Sequence, residues 1–299
     1  MSSHITYTAC PACKSNLIAP ALTCKDFTVS KTLFEVWQCN RCTIRFTQHV
    51  PDSNAIGKYY QSEDYVSHSE TKEGLVNRLY HLVRNYTLKT KQQLVNQVNQ
   101  SATGYLLDVG AGTGAFARVM KKAGWSVTGL EPDVSARKKA LDNYGITLEP
   151  LDALYDLPSA NVDVITMWHV LEHVHDLHGY LARFGELLRE NGTLIVAVPN
   201  YTSSDGKHYG EFWAAYDVPR HLYHFSPAGM KTLMASHGFN VVETRPMWFD
   251  SFYVSMLSER YKGRGNLPAA MWNGLVSNSR ATGDAEKCSS VIYIIKKAG

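Results

Sequence analysis

Residues 105–117, YLLDVGAGTGAFA, carry a short apolar run straight into a turn with glycines at 110, 112 and 114, and then into an amphipathic segment. That order reads as strand, tight turn and helix, and glycines there let the backbone approach a bound nucleoside at the carboxyl end of the strand. Short apolar runs go on alternating with amphipathic ones through SVTGL, SARKKALDNYG, ITL, DVITMW, DLHGYLARFGELLRENG and TLIVAVP. Such alternation predicts an α/β fold, a mostly parallel sheet with helices on both faces. Gly124, Gly145 and Gly192 fall where helix C-caps belong, and Ser226 with Pro227 makes an N-cap and first-position pair for a later helix. FNVVETRP and SVIYIIKK close the pattern as last strands. Between them, residues 248–287 form an insertion without a clear period, in which GRGNLP reads as a mobile loop.

Bulk properties narrow the function classes. With 299 residues, the chain has room for one large domain with an appendage or for two modest ones. A formal net charge of +3, with 44% apolar and 19% charged residues, gives no clustered basic surface for nucleic acid or anionic lipid. Without a run of about 18 apolar residues no spanning helix is expected. MSSHITYTACPACKS at the start lacks the pattern of a secretory signal, so a cytoplasmic address is expected.

Four of the six cysteines fall as two C-x-x-C pairs, Cys10 with Cys13 and Cys39 with Cys42. In a reducing compartment that spacing points to metal rather than disulfides. Four thiolates on two knuckles suit tetrahedral zinc, and a closed four-cysteine site makes the ion structural. Cys24 and Cys288 stand outside the pattern. The expected organisation is a zinc-ribbon-like unit over 1–52, an aromatic segment and helical linker over 53–103, and a nucleotide-binding core over 104–299. In the linker, Leu75, Leu79, Leu82, Val83, Tyr86 and Leu94 recur at helical spacing, as one or two amphipathic helices.

The nucleotide follows from two acids. Formally Gly110, Gly112 and Ala115 satisfy G-x-G-x-x-G/A, so NAD enters consideration. Asp108, however, would face a pyrophosphate unfavourably, whereas it suits the ammonium and sulfonium charges of S-adenosylmethionine. Glu131 in VTGLEPD ends the next strand and can accept hydrogen bonds from two ribose hydroxyls. At LDVGAGTG and Glu131 the sequence resembles class I S-adenosylmethionine-dependent methyltransferases, which implies a Rossmann-like core. The resemblance places Asp152 where the family contacts adenine, and DVITMWHVLEHV beside the transferred methyl. With the ribbon in front, the chain is similar to small-molecule methyltransferases, including deoxysugar C-methyltransferases, that carry an N-terminal zinc-binding domain. The expected activity is O- or C-methylation of a small biosynthetic metabolite. An NAD-dependent oxidoreductase and a ribbon-based binding module are the competing classes.

Residues 169–173, HVLEH, match the H-x-x-E-H pattern of inverted zinc peptidases, but they follow an apolar strand instead of lying on a helix, the wrong setting for a peptidase. Trp168 and His169 are then expected to line the cofactor pocket, with Glu172 and His173 capping the next helix. Two other readings stand: His169 or His173 as a general base, or His169, Glu172 and His173 on one helical face holding a divalent ion. The segment also resembles quinone-pathway O-methyltransferases, which have a carboxylate in place of His169. A second cluster, FWAAYDVPRHLYHFSP, places Tyr216, Asp217, Arg220, His221, Tyr223 and His224 in a loop expected to cover substrate, since they cannot all be core. His221 and His224 are base candidates, against a loop simply held by an Arg220–Asp217 ion pair. Tyr59, Tyr60 or Tyr65 could close the other side.

Overall fold

The structure is a computed structural model that describes residues 4–61, 75–99, 101–263 and 265–299, with side chains from 83 onward in the linker helix. Tyr65, Leu75, Leu79 and Leu82 therefore contribute no described side chain.

The core is a six-stranded sheet. Its strands are β6 (Tyr105–Val109), β7 (Ser126–Leu130), β8 (Val162–Trp168), β9 (Leu188–Pro199), β11 (Phe239–Pro246) and β12 (Ser290–Lys297), in the spatial order β11-β12-β9-β8-β6-β7. The pairs β6–β7, β6–β8 and β8–β9 are parallel, while β12 runs against both its neighbours. The chain thus leaves β6 toward β7 on one side and returns to β8 on the other. That switch opens a crevice at the carboxyl ends of β6 and β8, where doubly wound sheets bind ligands. Because both faces are covered, Leu106, Leu107, Val164, Ile165, Leu194 and Ile195 are all fully buried.

Helix boundaries follow local chemistry. Asp133 caps α3 (Val134–Tyr144) by accepting from the Ala136 amide, and Gly145 ends it at φ 64°. Ser226 caps α6 (Pro227–Ala235), with proline in the first turn as expected. Gly124, at φ 89°, follows α2 (Ala115–Lys122). Gly192 departs from expectation: it lies within β9, where the register with β8 shifts, and not at a helix end. The linker contributes one long helix, α1 (Leu75–Val98), which buries Leu94 and Val95 against Leu106, Phe116 and Met120.

The insertion is helical and not a loop, with α7 (Asp250–Tyr261) and α8 (Leu267–Ala281) packed on each other and on α5 (Ser204–Tyr209). Of GRGNLP, Gly263 and Gly265 lie between α7 and α8 at positive φ, Leu267 and Pro268 open α8, and Arg264 lies outside the described residues. Apolar periodicity is weak because small and polar residues fill most buried positions: Ser251, Ser255 and Ser258 of α7 are fully enclosed, and α8 buries Ala270, Gly274, Ser277 and Ala281. Asp205 organises part of this interior, accepting from Ser277 Oγ (2.6 Å), Ser289 Oγ (2.6 Å) and Trp213 Nε1 (2.8 Å).

The N-terminal region holds β1 (His4–Ile5), β2 (Ile18–Lys25), β3 (Leu33–Cys39), β4 (Arg45–Thr47) and β5 (Val50–Pro51). Its four-stranded sheet, β10-β4-β3-β2, takes its outer strand from the core: β10 (Tyr223–His224) pairs with β4. The contact is close. A Cβ on Gly229 would lie 2.5 Å from Ile44 Cγ1 and 3.0 Å from the Cys42 carbonyl.

Candidate active site

At the end of β6 the chain needs three left-handed residues in a row of five, and glycines supply them: Gly110, Gly112 and Gly114 have φ of 72°, 54° and 75°. Gly110 and Gly114 are tight, since added Cβ atoms would meet Val170 at 2.4 Å and Ala140 at 2.9 Å. Gly112 differs. Nothing lies within 4 Å of its Cβ position, so its surface is left open to the crevice. Glu131 ends β7 and accepts from the amides of Gly112 (2.8 Å) and Asp133 (3.0 Å), which fixes its carboxylate beside the turn. Asp152 is exposed in the 3-10 turn Leu151–Tyr155.

Asp108 sits beside Thr166 of β8 in the sheet register and accepts its hydroxyl at 2.7 Å. Burial pushes its carboxyl up to about 6, against the opposing pull of the Thr166 bond and Lys91. A carboxylate buried in this way would gain from a positively charged neighbour. Nothing in the sequence singles out Lys91, which reads there as one more solvated lysine of a polar helix. It places Nζ 4.3 Å from the Trp168 ring centre. Burial lowers its pKa to about 8, with Asp108 and Asp250 opposing. Trp168 also meets Phe116 edge-on at 5.7 Å, and its buried Nε1 has no hydrogen-bond partner among the described residues. Open glycine surface, buried carboxylate and orphaned indole N–H together fit an adenosyl ligand that carries positive charge.

The HVLEH segment does not form a shared helical face. His169 leaves β8 at φ 58°, and residues Leu171–His173 make a single 3-10 turn. His169 lies between two carboxylates, with Nε2 2.9 Å from Asp250 of α7 and Nδ1 3.5 Å from Glu172. Burial works against its charge, but the two acids win and push it up to about 10. Glu172 and His173 do not cap α4 (Leu177–Leu187). Asp176 does, accepting from Gly179. His173 instead turns toward residues 216–224, with Nδ1 3.0 Å from the Arg220 carbonyl and 3.0 Å from the Tyr60 hydroxyl. Burial first, and His221 second, lower its pKa to about 4.

The second cluster is not an open loop. Tyr216, Arg220, His221, Tyr223 and His224 are all buried, because this segment is the junction between the N-terminal sheet and the core. Arg220 does hold Asp217, through Nε (2.9 Å) and Nη2 (2.5 Å), and also reaches Asp26 and the Tyr59 carbonyl. His221 is brought to His173, ring centres 4.6 Å apart. His224 is placed in β10, 3.2 Å from Thr47 Oγ1, and burial drives its pKa far down.

Cys10, Cys13, Cys39 and Cys42 bring their Sγ atoms within 4.8 Å of one another, with 3.6 Å between Cys10 and Cys42 and 3.5 Å between Cys13 and Cys39. Tetrahedral zinc with bonds of about 2.3 Å wants sulfurs about 3.8 Å apart. The two knuckles are built alike, each followed by a left-handed residue, Lys14 and Thr43, whose amide returns to the first cysteine's carbonyl. This geometry is compatible with a zinc ribbon. Cys24 and Cys288 are buried elsewhere.

The parallel sheet order and the glycine turn at the end of β6 together define a Rossmann-like fold. The methyltransferase domain family matches residues 81–244, more than half of the chain, and the protein belongs to that family, in its S-adenosylmethionine-dependent class I. It is similar to an uncharacterized methyltransferase of Anoxybacillus flavithermus, 26% identical over 51% of this chain and 77% of the relative. A ubiquinone biosynthesis O-methyltransferase of Azorhizobium caulinodans is 27% identical over 48% of this chain, a stretch covering 62% of that relative. A malonyl-[acyl-carrier protein] O-methyltransferase of Serratia marcescens is 27% identical over 58% of this chain and 69% of its own length. Among solved structures, a protein of Galdieria sulphuraria assigned as a sarcosine dimethylglycine methyltransferase shares the fold with a TM-score of 0.51, at 13% identity, over 74% of this chain and 88% of the other. The oxidoreductase and binding-module readings are not favoured. Among the described residues, no helix is long and apolar enough to cross a membrane.

Proposed function

We propose that the protein methylates a small biosynthetic metabolite, most readily on oxygen, as the names of the relatives from Azorhizobium and Serratia support. The observation that carries this reading is Asp108, a buried carboxylate near the end of β6, the strand that leads into the glycine turn where Gly112 has open space. When bound, S-adenosylmethionine supplies a methyl group already activated by its sulfonium. The protein's residues hold and orient it: Asp108 faces the methionine end, Glu131 the ribose, Asp152 the adenine, and Trp168 packs along the pocket wall. Cys10, Cys13, Cys39 and Cys42 would hold a structural zinc that fixes the N-terminal sheet against the core.

Proton handling falls to the group around His173 and His221. His169, tied to two acids, stays protonated at neutral pH and serves to position α7 over the crevice. His224 serves the junction between sheets. His173 stays neutral, and His221 packs against it. Incubation with labelled S-adenosylmethionine and a panel of hydroxylated and ketonic metabolites should give a labelled product that His221→Gln reduces at least about tenfold. A protein that binds no adenosyl ligand would remove this reading, and a His221→Gln variant with full turnover across pH 6 to 9 would remove the role given to His221.

A further inference from the structure

The geometry points to a second metal site, for a divalent first-row transition ion, formed by Glu172, His173 and His221. One ligand atom from each lies within 4.8 Å of the others. The tautomers are set from behind. A backbone carbonyl can only accept, so His173 Nδ1, 3.0 Å from the Arg220 carbonyl, and His221 Nδ1, 2.8 Å from the Ala215 carbonyl, carry the protons. Both Nε2 atoms are therefore left with lone pairs. A carbonyl behind the far nitrogen is the arrangement that orients metal-binding imidazoles.

Glu172 is the second, independent observation. It is wholly buried, and neither carboxylate oxygen has a hydrogen bond among the described residues. Among the described residues its one ion-pair contact, with His169 Nδ1, stands off at 3.5 Å, and the same ring gives Nε2 to Asp250 at 2.9 Å. One imidazole between two carboxylates compensates at most one negative charge. Arg220 is equally unavailable, being divided between Asp217 and Asp26. A buried carboxylate is costly to keep ionised unless its charge is fully compensated, and a divalent ion held with His173 and His221 would supply that compensation. The nearest competing acid, Asp217, keeps its oxygen 4.0 Å from His221 Nε2 while Arg220 holds it.

Two imidazoles and one carboxylate favour iron, cobalt, zinc or manganese over magnesium. Bonds of about 2.1 Å put tetrahedral ligand atoms roughly 3.4 Å apart, so ligand atoms that lie within 4.8 Å of one another must close by up to about 1.4 Å when the ion binds. Three protein ligands leave positions open for oxygens of an acceptor, so the inference rests on the methyltransferase reading and deepens it: the acceptor would be a metabolite whose hydroxyl or carbonyl oxygens can bind such an ion, and with the ion held, His173 and His221 would act on the acceptor's proton through it, by lowering the hydroxyl's pKa, and not as free bases. The ion's site differs from the one the HVLEH spacing suggests, because His221 takes the place that Asp250 denies to His169.

The test is a Co2+ titration of the full-length, zinc-replete protein, followed by visible absorption, with metal content measured after desalting. The expected result is a second equivalent of metal per chain, with the weak d–d bands of nitrogen and oxygen ligation and no thiolate charge transfer. Glu172→Gln and His221→Gln, each shown to be folded by intact stabilisation with S-adenosylhomocysteine or by an unchanged far-UV spectrum, should weaken that equivalent by more than about tenfold. Wild-type protein that takes up only the cysteine-bound equivalent, or a second equivalent indifferent to both variants, overturns the site. Since the readout is metal and not turnover, a failure of adenosyl-ligand binding would count against the methyltransferase reading alone.

Discussion

Asp108 ties stability to ligand binding with a definite sign. Its folded pKa, about 6, is raised above the ordinary carboxylate value by burial. Its contribution to the stability of the free protein is therefore full below about pH 4 and is lost as pH rises through 6. Above that pH the folded chain carries an ionised buried acid, at a cost of up to about 2–3 kcal/mol. Asp108→Asn should raise the melting temperature of the ligand-free protein at pH 8 and yet cut the stabilisation by S-adenosylmethionine at least about tenfold in affinity. In the native protein, thermal-shift titration should show affinity increasing from pH 5 to 7.5. Affinity flat across that range would mean that Asp108 does not face the ligand's charge. The glycines separate two costs in the same way. Gly110→Ala adds a clash with Val170 to the strain of φ 72° and should lose more than about 2 kcal/mol of stability. Gly112→Ala meets no protein atom and should lose about 1 kcal/mol, while blocking adenosyl-ligand binding.

At the scale of elements, the α7–α8 pair depends on polar burial. Asp205→Ala strands three buried donors, Ser277, Ser289 and Trp213, and should destabilise the protein by about 3 kcal/mol or more, measured by urea denaturation. This same chemistry explains why residues 248–287 were opaque in the sequence. The helical period is present at Ser251, Ser255 and Ser258, but it is written in serines, and a search for apolar recurrence passes over it. By contrast, the glycine turn, Glu131, the Ser226–Pro227 cap and the last two strands were legible, since each rests on chemistry confined to a few neighbouring residues. Gly192 misled because a strand irregularity and a helix end both attract glycine. Lys91 and Asp250 were invisible for another reason. Each comes from an element outside the motifs, and only the packing of α1 and α7 brings them there.

For the whole molecule, the N-terminal sheet and the core share strand β10, so the metal proposed for the four cysteines should stabilise more than its own region. Cys39→Ser with Cys42→Ser, or prolonged chelation, should release about one zinc per chain and lower the melting temperature of the entire protein in one transition. Two separate transitions would show that the sheet and the core unfold independently. The sequence placed the histidines of residues 216–224 in a substrate-covering loop because polar density usually means exposure. The junction with the N-terminal sheet buries them instead, and no local pattern announces a contact between residues 45 and 224. The charged adenosyl pocket proposed at the end of β6 is open to direct measurement. Isothermal titration of the purified protein with S-adenosylmethionine tests it most directly: about one saturable site per chain is predicted, lost in Gly112→Ala and Asp108→Asn, with no comparable heat from NADH. Absence of that site, or saturable binding of NADH in its place, would contradict the account.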